Sequence, residues 1–364
     1  MKRVTSGVIG LLLGCLLVFV LSSRAQDGIA ARLQKASAEQ LQALLPRFPD
    51  ADVDRDGVLS REEALAYARQ RGLGAPPATA SRSAPSPDRA DVAYGPHERN
   101  VLDFWRAQGE APRPLVVLIH GGGFTSGDKA KWRESREIKR LLDSGISCAA
   151  INYRLRKHAP IQDILRDVAR SVQFLRSQAA AWGIDKNRVA AWGGSAGAGS
   201  SLWLGSRDDL ADPNHEDPVL RESSRVQAVV LNATQATYDL TRWDAFLGPA
   251  DPAWWSSPDE AAEFYHFRTM ADLASPEAAP VLKECDMLGW ISREDAPVFV
   301  SNPMPDAPAR NRGHYLHHPA HAREIVRHCE QAGVPCHWQQ APLPPALTDP
   351  LDFVRATLGV QVAE

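Results

Sequence analysis

Ser195 lies in the run Gly193-Gly194-Ser195-Ala196-Gly197, between an apolar stretch, Val189 to Trp192, and a string of small residues, Ala196 to Leu204. A serine hydroxyl is a useful nucleophile only when it is exposed and a base can take its proton. A sharp strand-to-helix turn gives that exposure, and glycines on both sides allow it, because larger side chains would collide where the chain reverses. An ordinary glycine-rich turn would read the same way in isolation. A second segment adds to the pattern: His120-Gly121-Gly122-Gly123-Phe124 follows the apolar run Leu115 to Ile119. Attack on a carbonyl builds negative charge on its oxygen, and glycines let backbone N–H groups approach that oxygen closely. Gly122, Gly123 and Ala196 are the candidate oxyanion donors. His120 reads as a brace for the glycine loop rather than as a base.

A different chemistry is written into Asp52-Val53-Asp54-Arg55-Asp56-Gly57-Val58-Leu59-Ser60-Arg61-Glu62-Glu63, which matches a twelve-residue EF-hand loop at its diagnostic places. Calcium takes six to eight hard oxygens. Here Asp52, Asp54 and Asp56 offer carboxylates, Val58 its carbonyl, Ser60 an oxygen directly or through water, and Glu63 a bidentate carboxylate, with Gly57 at the bend. Helices are expected before it, Ala38 to Leu45, and after it, Arg61 to Gln70; Pro46 and Pro49 shorten the lead-in. A chance acidic turn is the alternative. EF-hands usually pair, and a single loop favours a structural Ca2+ site over a sensor. No cofactor is expected for the chemistry at Ser195.

These residues must be held by a fold of adequate size. The 364 residues are 44% hydrophobic with a formal net charge of −3, enough for a sizeable core. Acidic and basic residues are interspersed, which argues against a nucleic-acid surface and for small-molecule chemistry. Lys2 and Arg3, the apolar run Val8 to Leu21, and Ser23-Arg24-Ala25 form a secretory leader, residues 1–25, cleaved after Ala25. The mature protein is then secreted or periplasmic, with no stable membrane span. The alternatives are an uncleaved anchor or a lipid at Cys15. In an oxidising compartment Cys148, Cys285, Cys329 and Cys336 could pair; Cys329 and Cys336, flanking Gly333, are the favoured pair, with two free thiols as the alternative.

The EF-hand segment is expected over 37–70 and a linker rich in Ala, Pro and Ser over 71–90. From 91 to 364, strands and helices alternate, which predicts a parallel sheet with helices on both faces. Expected elements include strands at Asp91–Gly95 and Val101–Trp105, helices at Lys129–Leu142 and Ile161–Trp182, a strand at Pro335–Gln339, and a terminal helix capped by Thr348-Asp349-Pro350. Residues 238–290 interrupt the alternation with helix-like pieces and read as a cap. Its Trp243, Trp254, Trp255 and Phe264 either line an acyl or sugar pocket or form the cap's own core.

Residues 92–360 resemble the α/β-hydrolase superfamily, in particular its carboxylesterase and lipase branch with hormone-sensitive-lipase-like and bacterial feruloyl and acetylxylan esterases. The resemblance rests on His120-Gly121-Gly122-Gly123-Phe124, Asn152-Tyr153-Arg154 and Gly193-Gly194-Ser195-Ala196-Gly197, in that order. It implies an α/β-hydrolase fold with a mostly parallel eight-stranded sheet and a helical cap insertion. It also implies a serine hydrolase acting on a carboxylic ester, whether a small molecule or an acylated carbohydrate, through an acyl-enzyme. By the same resemblance the acid comes from the loop after the seventh strand, here Asp306. The family's histidine follows the eighth strand, yet no histidine occurs after His337. The nearest substitutes are His317 and His318, which lead from Asp306 into the next helix, the alternative being that they cap that helix or sit exposed. A non-catalytic ligand-binding protein on the same scaffold is the second reading.

Overall fold

The computed structural model describes residues 33, 36–46, 48–53, 56–70, 84–342, 347 and 349–361. The leader 1–25, Cys15, Asp54 and most of the 71–90 stretch lie outside the described residues. The chain divides into two compact units, residues 1–81 and 82–364.

In the first unit, α1 (Ala38–Gln42) begins at a capping box in which Ser37 and Gln40 satisfy each other's backbone N–H groups. It ends earlier than expected, and the chain then turns through Pro49–Ala51 to the acidic loop. α2 (Arg61–Gln70) follows that loop. Gln42 ties helix to loop, donating to the Gly57 carbonyl at 2.7 Å and accepting from Leu59 N at 3.0 Å. Leu33, Leu41, Leu44, Leu59 and Ala64 form the unit's small core.

The second unit is built on one sheet in the order β1-β2-β4-β3-β5-β6-β7-β8. Its strands are β1 (Arg89–Ala93), β2 (Val101–Trp105), β3 (Arg113–Ile119), β4 (Ser147–Ile151), β5 (Ile184–Gly194), β6 (Ala228–Asn232), β7 (Val298–Ser301) and β8 (Cys336–Trp338). β1 pairs antiparallel with β2, and β2 with β4; all the other pairings are parallel. β1 starts at Arg89, inside the stretch whose composition reads as linker. Just before it, the Pro85 carbonyl accepts the Trp105 indole N–H at 2.6 Å. β3 is solvent-free from Leu115 to Ile119, as a central parallel strand covered on both faces should be. Leu115, Val117 and Ile119 join the core on one face, while Val116 and Leu118 join the core on the other.

The expected helix at Lys129–Leu142 is broken. A 3-10 turn over Lys129–Glu134 precedes α3 (Arg136–Asp143), and Ser135, extended at φ −88° and ψ 135°, caps α3 through Glu137 N. The cause is tertiary: the buried Lys129 ammonium reaches Asp91 at 2.6 Å and Asp103 at 2.8 Å. α4 (Ile161–Ser177) buries its Ile161, Ile164, Leu165, Val168, Val172 and Leu175 face. α5 (Ala196–Ser206) leaves β5 directly and is buried along its whole length. Between β6 and β7, short helical turns from Leu240 to Trp290 form the cap. α6 (Arg312–Leu316) and α7 (Pro319–Ala332) link β7 to β8, and α8 (Pro350–Thr357) closes the chain, N-capped by Asp349 with Pro350 at its first position. Cys148, Cys285, Cys329 and Cys336 are free thiols. Cys329 and Cys336 are thus not joined by a disulfide, and the neighbouring Cys329 thiol together with burial pushes the Cys336 thiol above its ordinary pKa.

Candidate active site

The sheet register assembles the site. Ile119 pairs with Gly193, Gly194 with Asn232, and Asn232 with Ser301. The glycine loop, the elbow and the segment after β7 therefore leave neighbouring strands at one level, on the carboxyl edge of the sheet, where ligands bind in open α/β sheets.

At the elbow, Ser195 has φ 53° and ψ −123°, a region that costs a non-glycine residue about 1–3 kcal/mol. Its N–H bonds the Asn232 carbonyl at 2.9 Å. The surrounding glycines are required by contact rather than flexibility. A Cβ on Gly193 would stand 2.1 Å from the Gly197 carbonyl oxygen, and one on Gly197 would stand 2.1 Å from the Ile119 oxygen. α5 thus runs against β3 as closely as two backbones can pass.

The Ser195 hydroxyl lies 2.8 Å from His317 Nε2. The other nitrogen, Nδ1, lies 2.8 Å from the Gly313 carbonyl, which can only accept. This fixes the neutral tautomer: Nδ1 carries the proton and Nε2 offers its lone pair to the serine. The backbone around His317 is held from two sides. Asn302 Nδ2 donates to the His317 carbonyl at 2.9 Å, and Gln235 Nε2 donates to the Leu316 carbonyl at 2.7 Å.

Asp306 is not against this imidazole. Its carboxylate pairs with Arg323 of α7 at 2.6 Å and its side chain is 61% exposed. The position beside Nδ1 belongs to a backbone carbonyl, for which a sequence carries no side-chain signal. His318 is not against the serine either: its Nδ1 accepts from Ala320 N and caps α7, while Nε2 donates to the Ala307 carbonyl. His337 lies in β8 with its ring 5.7 Å from that of Phe353.

Gly123 and Ala196 line the cleft beside Ser195. Among the described residues no hydrogen bond uses the N–H of either. Gly122 lies one step back at φ +118°, its carbonyl accepting from Thr125 N at 3.0 Å and Ser126 N at 3.1 Å. It shapes the turn that presents Gly123. His120 braces the loop from below, stacked on Tyr153 with ring centres 4.3 Å apart and donating from Nδ1 to the Gly121 carbonyl at 2.7 Å. Burial pushes its pKa down to about 4, so the ring is neutral and has no part in proton transfer to Ser195.

The cleft is small, about 100 Å³, and the cap forms its far wall. Trp243, Trp255 and Phe264 face it, with Phe124 and Tyr238. Trp254 does not; it packs on Tyr315, ring centres 5.8 Å apart. Sequence reasoning missed three charged residues in this wall, Arg156, Glu260 and Arg312, because they come from segments more than fifty residues apart.

Two groupings bring cation-ligating side chains together, and one of them suits a cation. In the first unit Asp52 Oδ2 accepts from Gly57 N at 2.9 Å, Asp56 Oδ1 from Val58 N at 2.7 Å, and Glu63 Oε1 from Val53 N at 2.8 Å. Gly57 has φ +83°. Asp52 Oδ1 is buried without a hydrogen-bond partner among the described residues, as expected of an oxygen meant for a metal. His97, Glu98 and His158 also cluster, but that set does not fit. Each imidazole accepts a backbone N–H at Nδ1, from Arg99 at 3.1 Å and Leu155 at 3.2 Å. Nε2 of each neutral ring then carries the proton and has no lone pair for a metal.

Sheet order, elbow and cap together define an α/β hydrolase. A carbohydrate esterase from gut microbiota superposes with a TM-score of 0.51 at 16% identity, over 71% of this chain and 87% of that one. Thermogutta terrifontis esterase 2 does so with 0.50 at 20% identity, over 76% and 93%. The chain belongs to the BD-FAE family, whose sequence profile matches residues 102–306. That match stops before His317. By sequence the chain is similar to a probable carboxylic ester hydrolase of Mycobacterium tuberculosis, 31% identical over 44% of this chain and 37% of the relative. It is also similar to a probable isoprenylcysteine alpha-carbonyl methylesterase of Arabidopsis thaliana, 33% identical over 30% and 26%. The chain spans under two fifths of the length of these relatives.

Proposed function

We propose that the protein is a secreted carboxylic ester hydrolase in which Ser195 is the nucleophile and His317 its base. The observation that carries this reading is the 2.8 Å contact between Ser195 Oγ and His317 Nε2, at a cleft edged by the unused N–H groups of Gly123 and Ala196. As Oγ attacks the ester carbonyl, its proton passes to Nε2 and the developing oxyanion meets those two N–H groups. Collapse breaks the ester bond, and the departing alkoxide takes the proton from Nε2. Water then repeats the sequence on the acyl-enzyme with His317 again as base, releasing the acid. The Gly313 carbonyl keeps the tautomer but brings a partial charge where a carboxylate would bring a full one, so the imidazolium is less stabilised than in an acid-assisted triad.

The names of the sequence relatives support the reaction class, and the aromatic wall supports a small-molecule ester or acylated carbohydrate. Export rests on the leader at residues 1–25; no described helix is long and apolar enough to cross a membrane. N-terminal sequencing of the exported protein is expected to begin at Gln26. A structural calcium ion held by Asp52, Asp54, Asp56, Val58, Ser60 and Glu63 completes the proposal, supported by the unpartnered buried Asp52 oxygen.

A fluorophosphonate probe on the mature protein tests the mechanism. The expected result is a single adduct on Ser195, absent in Ser195→Ala and strongly slowed in His317→Ala. Absence of any adduct would overturn the esterase and favour a ligand-binding protein on this scaffold.

A further inference from the structure

The cap wall holds more positive charge than its own ion pairs consume. Arg312 binds Glu260 in a two-pronged pair, with Nη1 to Oε2 at 3.1 Å and Nη2 to Oε1. Ser256 adds its N–H at 2.9 Å and its hydroxyl at 2.8 Å to the same carboxylate. Burial alone would raise the Glu260 pKa, but these donors outweigh it and hold the pKa below the ordinary value. Glu260 is therefore ionised and already satisfied.

Arg156 is the cation left over. Its side chain is 17% exposed and its Nη1 stands 3.7 Å from Glu260 Oε1. Its guanidinium hydrogen bond among the described residues is one long contact, Nη2 to the Glu260 carbonyl at 3.4 Å. A guanidinium has five N–H donors, and among the described residues the hydrogen bond to the Glu260 carbonyl uses one of them, which leaves the others to water or to a ligand in the cleft. The head is laid over the Phe264 ring, 5.4 Å from its centre. The backbone fixes it relative to the nucleophile, because Arg156 N bonds the Phe124 carbonyl at 2.7 Å and Phe124 ends the glycine loop. Arg156 and Ser195 line the same cleft. Counting its charged wall residues, two arginines against one glutamate, that cleft carries one net positive charge.

We infer that Arg156 is a carboxylate-binding subsite of the Ser195 cleft, so that the preferred esters carry a second, ionised carboxyl group. This rests on the ester-hydrolase reading. Arg156 would bind that carboxylate through the donors Glu260 leaves free, and a charge-assisted bond of this kind discriminates an ionised group from a neutral one.

The test is a series of p-nitrophenyl monoesters of succinic, glutaric and adipic acid, each compared with its neutral branched isostere ending in an isopropyl group. For at least one length kcat/KM is expected to exceed that of the isostere by about tenfold or more, chiefly through KM. Arg156→Gln should bring the ratio near one, and Arg156→Lys should keep part of it as a point charge. Titration calorimetry with glutarate reads the same subsite without turnover: wild type should bind and Arg156→Gln should not. If no ester is hydrolysed, the ester-hydrolase reading fails, and glutarate binding alone then decides for or against the anion site. Neutral esters preferred at every length, or a ratio unchanged in Arg156→Gln, would overturn the inference. Should Arg156→Gln fail to fold, the wild-type ratio and Arg156→Lys carry the decision.

Discussion

At the scale of single residues, the chemistry depends on which group stands at each nitrogen of His317. Because Nε2 faces Ser195 and Nδ1 faces a carbonyl, removing either side chain of the pair should be nearly as damaging as removing both. Ser195→Ala and His317→Ala are each expected to lower kcat on a short p-nitrophenyl ester by about 10³-fold or more, with little further loss in the double variant. Asp306→Asn should change kcat/KM by no more than about threefold, since that carboxylate is spent on Arg323 at the surface. A loss for Asp306→Asn comparable to that for His317→Ala would show that the acid is recruited during turnover and that the Gly313 carbonyl is not the partner that matters. Ser195 and the glycine loop were legible in the sequence because their signal is steric and local. His317 was legible only as one of two neighbours, since the choice depends on which ring α6 turns toward the sheet.

At the scale of elements, the site depends on a helix and two strands approaching without side chains between them. Gly197→Ala would place a methyl 2.1 Å from the Ile119 carbonyl oxygen, in a contact between backbones that no rotamer can relieve. We expect about 2 kcal/mol or more of destabilisation in urea denaturation, and loss of fluorophosphonate labelling even where the variant folds. His120 gives the β3 edge a pH dependence of known sign. Its folded pKa, about 4, lies below the ordinary 6.5 because of burial. The unfolded chain therefore binds the extra proton between these values, and stability falls as pH drops from about 6.5 to 4. The contribution is about 3 kcal/mol, at about 1.36 kcal/mol per pH unit. His120→Asn, which keeps a donor near Nδ1, should flatten the pH dependence of urea-unfolding free energy over that window. The same scale shows what the sequence concealed. The period of Lys129–Leu142 suits one helix, yet the chain breaks at Ser135 because Lys129 is drawn into a buried pair with Asp103. Composition placed Arg89 in a linker although it opens β1, since an edge strand needs only one partner and little apolar character.

At the scale of the whole molecule, the two proposed chemistries fall in separate units, and the acidic loop of the first can be examined without reference to turnover. Asp52, Asp56 and Glu63 already fold the loop by accepting its backbone N–H bonds, so calcium would find the bend at Gly57 made. Among the described residues the inner Asp52 oxygen has no hydrogen-bond partner, and a buried carboxylate oxygen left without one destabilises the loop. Calcium added to the full chain should therefore slow amide hydrogen exchange across residues 52–63 and at the start of α2, by about tenfold or more at saturating ion. Magnesium, which needs a tighter octahedral shell, should do much less. Asp52→Asn keeps an acceptor for Gly57 N but removes the charge, and should abolish the calcium effect while leaving exchange in the metal-free chain close to wild type. Equal protection in wild type and Asp52→Asn, or none in either, would remove the ion from this loop and leave it an acidic turn held by Gln42 and Glu63.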